Sequence, residues 1–384
     1  MKKIFLITAS VLFSITAHSG TVKVGIFSNI KCTSVMVLPS MGVYDVYADG
    51  YKIYTLSGNN FLQLILENNL VYVKNFSQSF GEYNSVKFIS VNGSEKNFKI
   101  KSVNPNTDVF TYEDNLEISV SQYGFLKLLN YIDLEHYVEG VMEAEIGNTS
   151  IPEFLKVQAI IIRTYALSNS QRHISEGYNL CDQVHCQAYK GTSRFNPLVP
   201  LAATGTQGKV IVDKNLQLIN AAFHSNCGGH TLNSEDVWIS SLPYLKAVTD
   251  TFCYNKPHAV WEKHISINDW KNYLNRLKIN ENKQGSNSYD TYGNERQKYY
   301  SYKGIDIPMK TLRNDWGLKS SYFSIIELQD SLMIKGKGFG HGVGLCQEGA
   351  MRMAELGYFY EDIIKFYYKG VVVTTLDVMK FFND

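Results

Sequence analysis

Asp133–Ile146, DLEHYVEGVMEAEI, is the stretch where the hydrophobic period of the chain changes. Leu134, Val138 and Val141 fall on one stripe at helical spacing, and Asp133 stands where an N-cap belongs. The glutamates divide by angle. Glu135, Glu139 and Glu143 succeed one another at i+4 and predict a solvated ladder. Glu145 comes eleven residues after Leu134 and seven after Val138. On a helix of 3.6 residues per turn that sets it at about 20° from each, on the apolar stripe. A carboxyl there is desolvated, and desolvation raises its pKa toward the range of a proton donor. The competing reading is a helix-end glutamate that meets water, since Gly147 follows closely.

Upstream of this point the period is two. TVKVGIF (21–27) alternates as a half-buried strand does. VYDVYADGYKIYTL (43–56) sets Asp49-Gly50 between two alternating runs, the signature of a hairpin closed by a type I′ turn. Asn92-Gly93 repeats the device, and another pair of strands turns near Tyr123-Gly124.

Downstream, NTSIPEFLKVQAIIIRTYALSNS (148–170) predicts a second helix, with Ser150 and Glu153 as a capping box and Pro152 in the first turn. Its apolar residues surround the axis, so it is central. Lys156 and Arg163, seven apart, share a face. Buried bases need partners; these two either pair with a structural carboxylate or line a cleft beside Glu145.

The 384 residues carry 45% hydrophobic side chains and a formal charge of +1. That is enough to bury a core, and the absence of a polybasic run removes any electrostatic reason to expect nucleic acid. The 26 tyrosines suit a sugar groove or β-rich packing equally. Residues 1–19 read as a signal peptide: Lys2 and Lys3, then an apolar run too short for a comfortable span, then Ala17-His18-Ser19. Export to the periplasm or the exterior of the cell envelope is the expectation. In such a compartment six cysteines suggest disulfides, among fifteen connectivities.

Two segments attract attention as sites. In RHISEGYNLCDQVHCQAYKG (172–191), His173, Cys181 and Cys186 have spacings that close around zinc, with water as the fourth ligand. His185 adjoins Cys186 and is the weaker ligand. A Cys181–Cys186 disulfide is the alternative, and Cys227–Cys253 is a second expected bridge. In GKGFGHGVGLCQEGA (336–350) glycines alternate too strictly for a dinucleotide loop. Gly340, Gly342 and Gly344 allow close backbone approach around His341, either to a sugar or to another chain segment. His224 and Ser225 in FHSNCGGHT (223–231) stand ready for the same role. No carboxylate at triad-like spacing accompanies His341, which favours structural support over catalysis.

Four blocks together resemble the SpoIID/LytB family of sporulation stage II protein D and amidase-enhancer proteins. They are YVEGVMEAEIGNTSIPEFLKVQAIIIRTYAL (137–167), LCDQVHCQAYKGT (180–192), AAFHSNCGGHTLNSEDVWISSLPYLKAVTD (221–250) and the run from Gly336 to Gly370. The resemblance spans roughly Leu116 to Gly370. It implies a lytic transglycosylase that cuts the MurNAc-β-1,4-GlcNAc bond of denuded peptidoglycan strands, with Glu145 in the position of the essential acid. Ile146-Gly147 stand where the family usually has Met-Pro. Lys156, Arg163, His224, Ser225, Gly340, His341 and Gly342 are then expected at the substrate. Some members bind zinc through one histidine and two cysteines in the 172–191 region. The enhancer branch implies the alternative of a non-catalytic wall protein that stimulates a separate amidase. The fold class expected is α+β: a β-rich region over 20–115, then a mixed core with an open cleft over 116–384, with a polar insertion near 279–302.

Overall fold

The computed structural model describes residues 20–91, 96–192, 195–277, 296–302 and 305–383. The turn expected at Asn92-Gly93, the signal peptide and most of the polar insertion lie outside the described residues. The fold is α+β.

Two sheets form the N-terminal part, antiparallel except that Leu180–Cys181 adds to the edge strand Thr21–Ile26 in parallel. Among the described residues one has seven strands and the other six. In the larger, Thr21–Ile26 pairs with Leu126–Asp133, which pairs in turn with Asn115–Val120. The alternation read from the sequence is what fills the interior: Val22, Val24 and Ile26 are buried on one side of the first strand. Asp49 and Gly50 both take positive φ between Val43–Ala48 and Tyr51–Ser57, as a type I′ hairpin requires. The boundary expected at residue 115 cuts through this larger sheet. The N-terminal strands and the helices that follow therefore share one hydrophobic core.

Helix α1 (Leu134–Ile146) leaves the end of strand Leu126–Asp133 directly, and the Asp133 carboxylate accepts from Glu135 N–H at 2.8 Å. Helix α2 (Pro152–Ser168) is central, with Phe154, Val157, Ile160, Ile161 and Ile162 wholly buried. The expected capping box does not form. Ile151 occupies the N-cap without a side-chain bond, and Glu153 instead pairs with Lys156 and accepts from Tyr360 N–H. Helix α3 (Leu198–Gly205) packs against both.

A second, smaller core lies around Trp261, Trp270, Tyr300 and Leu332. It covers the sheet of Val260–Ser266, Ser331–Lys337 and Phe323–Glu327, with α4 (Ile267–Arg276), α5 (Met309–Asp315) and the hairpin Tyr299–Tyr302/Ile305–Pro308. The end of the expected polar insertion is thus structured: Tyr300 and Tyr302 are buried. Helices α6 (Gln347–Glu355) and α7 (Tyr360–Tyr367) return to the main core, and Gly357, at φ +89°, ends the first of them. Among the described residues no helix is long and apolar enough to cross a membrane.

Candidate active site

Glu145 sits in the last turn of α1, half-buried. Its Oε1 accepts from the backbone N–H of Ala188 at 2.9 Å. Burial raises its carboxyl above the ordinary glutamate value, and the Ala188 N–H offsets this in part. The group therefore holds its proton more readily than a carboxyl in water.

The loop that reaches it is brought in by a close approach at Gly140. A Cβ there would stand 2.7 Å from the Tyr189 ring and 2.8 Å from the Gly191 carbonyl oxygen. A glycine in mid-helix costs about 1 kcal/mol; here it lets residues 187–191 lie against α1. Tyr137 of α1 then donates to Gln187 Oε1 at 3.2 Å, and Tyr189 to Asn130 Oδ1 at 2.9 Å.

The ladder Glu135, Glu139, Glu143 is not solvated as its spacing suggests. Its face meets α2: Glu135 pairs with Arg163, and Glu143 is 6% exposed. Arg163 is fully buried, with Nε 2.8 Å from Glu135 Oε1 and Nη1 3.0 Å from the Lys209 carbonyl. It is a structural ion pair, and the expectation that it touches glycan is corrected on that ground. Lys156 belongs to a different group, Glu153 at 2.6 Å and the face of Tyr360.

The cysteine loop is assembled as its spacing suggests, with one addition. His173, Cys181, His185 and Cys186 bring ligand atoms within 4.8 Å of one another. His185 is a full member of the cluster, because the loop turns its Nε2 to 3.2 Å from His173 Nε2 and 3.7 Å from Cys181 Sγ. His173 Nε2 lies 3.4 Å from Cys186 Sγ. A tetrahedral zinc with bonds of about 2.0 Å to nitrogen and 2.3 Å to sulfur separates its ligand atoms by about 3.3–3.8 Å. The donor set fits. So does its surrounding shell: Glu176 Oε1 is 2.6 Å from His173 Nδ1, which turns Nε2 inward, and Tyr178 donates to Glu176 at 2.8 Å while stacking on the imidazole. Neither sulfur is in a disulfide. A cavity of about 300 Å³ is lined by Glu176 and Tyr178 together with the Ser121–Phe125 turn; Glu145 does not line it.

The glycine-rich segment does something else. Strand Phe223–His224 runs parallel to Leu345–Cys346. His224 is 5% exposed, its Nδ1 3.1 Å from the Val343 carbonyl. His341 lies with its ring 5.5 Å from those of His224 and Trp238. Burial, with Arg313 next, lowers His341 to about 4, and burial sends His224 well below its usual value. Both imidazoles are neutral at pH 7. Gly340 is packed on His224 Cβ, and Gly342 on the guanidinium of Arg296. The carbonyl of Ser225, half-buried, accepts from Glu348 N–H at 3.0 Å. Of this group, His224 is too enclosed to touch a polymer, and His341 is half-buried.

Ala188, Glu176, Trp238 and Arg296 carry no signal in the sequence; His185, expected there as the weaker ligand, is instead a full member of the cluster.

Comparison with known proteins agrees with the resemblance in the blocks. The family model described as Stage II sporulation protein matches residues 122–212, which include α1, α2 and the cysteine loop. Stage II sporulation protein D of Bacillus subtilis is 32% identical over 261 residues, 64% of this chain and 76% of that protein. Its counterpart in Bacillus amyloliquefaciens is 31% identical, with 75% of its length covered. The amidase enhancer of Bacillus subtilis is 30% identical over 62% of this chain; the match spans 40% of the enhancer.

Proposed function

We propose that this chain, which belongs to the SpoIID/LytB family of stage II sporulation protein D and amidase-enhancer proteins, is a lytic transglycosylase of peptidoglycan glycan strands. The observation that carries this reading is Glu145: one half-buried carboxyl, raised by burial, oriented by the Ala188 N–H, with no charged group shifting it among the described residues.

A hydrolytic glycosidase uses two carboxylates. One suffices if the substrate supplies its own nucleophile. Protonated Glu145 donates to the glycosidic oxygen as the C1–O bond breaks. The carboxylate then takes the proton of the muramic C6 hydroxyl, whose oxygen closes onto C1. The glutamate returns to its starting protonation state, water is not consumed, and the new end is 1,6-anhydro-N-acetylmuramic acid. A carboxyl that works first as acid and then as base works best with a pKa near the working pH, and burial moves Glu145 in that direction.

His173, Cys181, His185 and Cys186 would hold zinc, which with four protein ligands supplies structural closure and no open coordination position. Such closure would fix the loop whose Ala188 N–H orients Glu145. The export expected from residues 1–19 belongs with a substrate in the cell wall.

The test is purified protein on denuded glycan strands, without an amidase, in ¹⁸O-labelled water. Anhydro ends without label are expected. Glu145→Gln should lower the rate by roughly 10²–10⁴-fold, the usual share of general acid–base catalysis. Labelled reducing ends, or a Glu145→Gln protein that cuts normally, would overturn the mechanism. The relative named amidase enhancer favours one other reading, a non-catalytic stimulator of a wall amidase. Inert protein that nonetheless accelerates such an amidase would establish it.

A further inference from the structure

The half of the chain that holds the glycine-rich segment contains a second convergence of ligand groups, distant in sequence from the first. Cys227, Asp250, Cys253 and Cys346 come from three different segments, yet their ligand atoms all lie within 4.8 Å of one another. Cys227, Cys253, Cys346 and Asp250 are all 0% exposed. We propose that these four residues form a closed tetrahedral site for zinc or a similar thiophilic divalent ion, which fastens the Ser225–Gly229 turn, the Asp250–Cys253 turn and the start of α6 to one another.

Three observations carry this. The first is spacing. Cys227 Sγ is 3.4 Å from Cys253 Sγ and 3.3 Å from Asp250 Oδ2. Ligand atoms around zinc, at about 2.3 Å for sulfur and 2.0–2.2 Å for carboxylate oxygen, stand about 3.5–3.8 Å apart. The remaining ligand-atom pairs lie within 4.8 Å, close enough for one ion to draw all four together.

The second is the shell around the ligands. Cys346 Sγ receives the backbone N–H of Cys227 at 3.2 Å and of Gly349 at 3.4 Å, because Cys346 is the N-cap of α6. These N–H groups fix the direction in which the sulfur points. Asp250 is oriented at both oxygens: Tyr367 donates to Oδ2 at 2.9 Å, and Phe252 N–H to Oδ1 at 2.9 Å. Such outer partners are what hold first ligands in place. Arg296, whose guanidinium donates to the Cys227 carbonyl at 2.5 Å, sets a positive charge beside a centre that three thiolates and a carboxylate leave net negative on a dication.

The third is the count of groups. A Cys227–Cys253 disulfide, expected from the sequence, would use two of the four. It would leave the third sulfur and a wholly buried carboxylate facing the bridge. Burying a carboxylate without a cation is costly; a metal uses all four groups at once. The site involves neither Glu145 nor the first cluster, so it stands or falls independently of the transglycosylase reading.

Zinc content measured on purified protein tests the proposal. Cys346→Ser should lower it by about one equivalent per chain, and Cys181→Ser/Cys186→Ser should leave about one equivalent in place. Cobalt added to that double variant should give the intense ligand-field bands of a tetrahedral thiolate centre, and these should be lost when Cys346→Ser is added. Should Cys346→Ser not fold, Asp250→Asn keeps the shape and all three sulfurs, and should weaken cobalt retention at least about tenfold. A double variant that is folded and binds neither metal would overturn the site. So would a non-reducing peptide map in which Cys227 and Cys253 are quantitatively linked.

Discussion

The region around Glu145 and the glycine-rich region of residues 222–253 and 336–350 hold their polar groups in opposite ways. In the first, apart from the Ala188 N–H at Glu145 and the close approach at Gly140, side chain answers side chain. Arg163 meets Glu135, Glu176 meets His173, and His136 lies 3.1 Å from Glu113. In the second, backbone meets backbone so closely that a Cβ would not fit. One at Gly344 would stand 2.1 Å from the Ala222 carbonyl oxygen, and one at Gly338 2.6 Å from that of Asn226. His224 and His341 are kept neutral by burial. The difference teaches where each region is fragile: the first to loss of a charge, the second to gain of a methyl group.

The largest effect should come from breaking the first kind. Glu135→Gln leaves a fully buried guanidinium without its countercharge, and should cost about 3–5 kcal/mol in denaturant unfolding. A loss under 1 kcal/mol would mean that the carbonyl of Lys209 suffices and that the pair is not what holds α1 to α2.

Gly344→Ala attacks the second kind. At φ +72° an alanine is strained by about 1–2 kcal/mol, and the clash with Ala222 adds to that. Gly357→Ala is the control that sharpens it: φ is +89°, but nothing lies within 4 Å of the added carbon. Equal melting temperatures for the two would show that close approach contributes nothing beyond the torsion.

Glu176→Gln should weaken zinc at the first cluster roughly 10–100-fold through the orientation of His173, and leave the Cys227 cluster unchanged. Metal titration of each cluster separately would check it. An equal loss at both would mean a general effect of destabilisation.

The smallest effects are in pH. His136 is raised to about 9, chiefly by the Asp114 carboxylate 3.6 Å away, so the folded state holds its proton where the unfolded chain has lost it. Its contribution is complete below about pH 6.5 and fades as pH rises toward 9. His341 is lowered to about 4, chiefly by burial. Its contribution is present above about pH 6.5 and fades as pH falls toward 4. Glu145 has the opposite sign to a paired carboxylate: its ionisation costs the folded state, so stability falls as pH rises through its raised value. His136→Gln should flatten the alkaline limb of a stability profile and His341→Gln the acid limb. If either changes the other's limb, the two regions are coupled.

Glu145 was legible because a period of 3.6 residues separates it from its neighbours on the same helix, and the change of period at Asp133 marked the passage from sheet to helix just as clearly. The same arithmetic failed at Glu143. Angle states where a side chain points around its own axis, not what element lies on that side, and here α2 lies there. The capping box at Ser150 failed for a related reason, since Glu153 found better partners in Lys156 and Tyr360 N–H.

By itself, then, the chain determined what local periodicity and turn chemistry can express: the hairpin at Asp49-Gly50, the two helices after Asp133, the candidate acid, and two cysteines and a histidine at ligand spacing. Tertiary structure alone decided the rest. The donor to Glu145 is a backbone N–H 43 residues away, which any residue but proline would supply and no composition can reveal. Cys227 meets Cys346 across 119 residues because glycines let two strands approach. Contacts of that kind depend on how elements pack, and packing is a property of surfaces that form only once the elements have met.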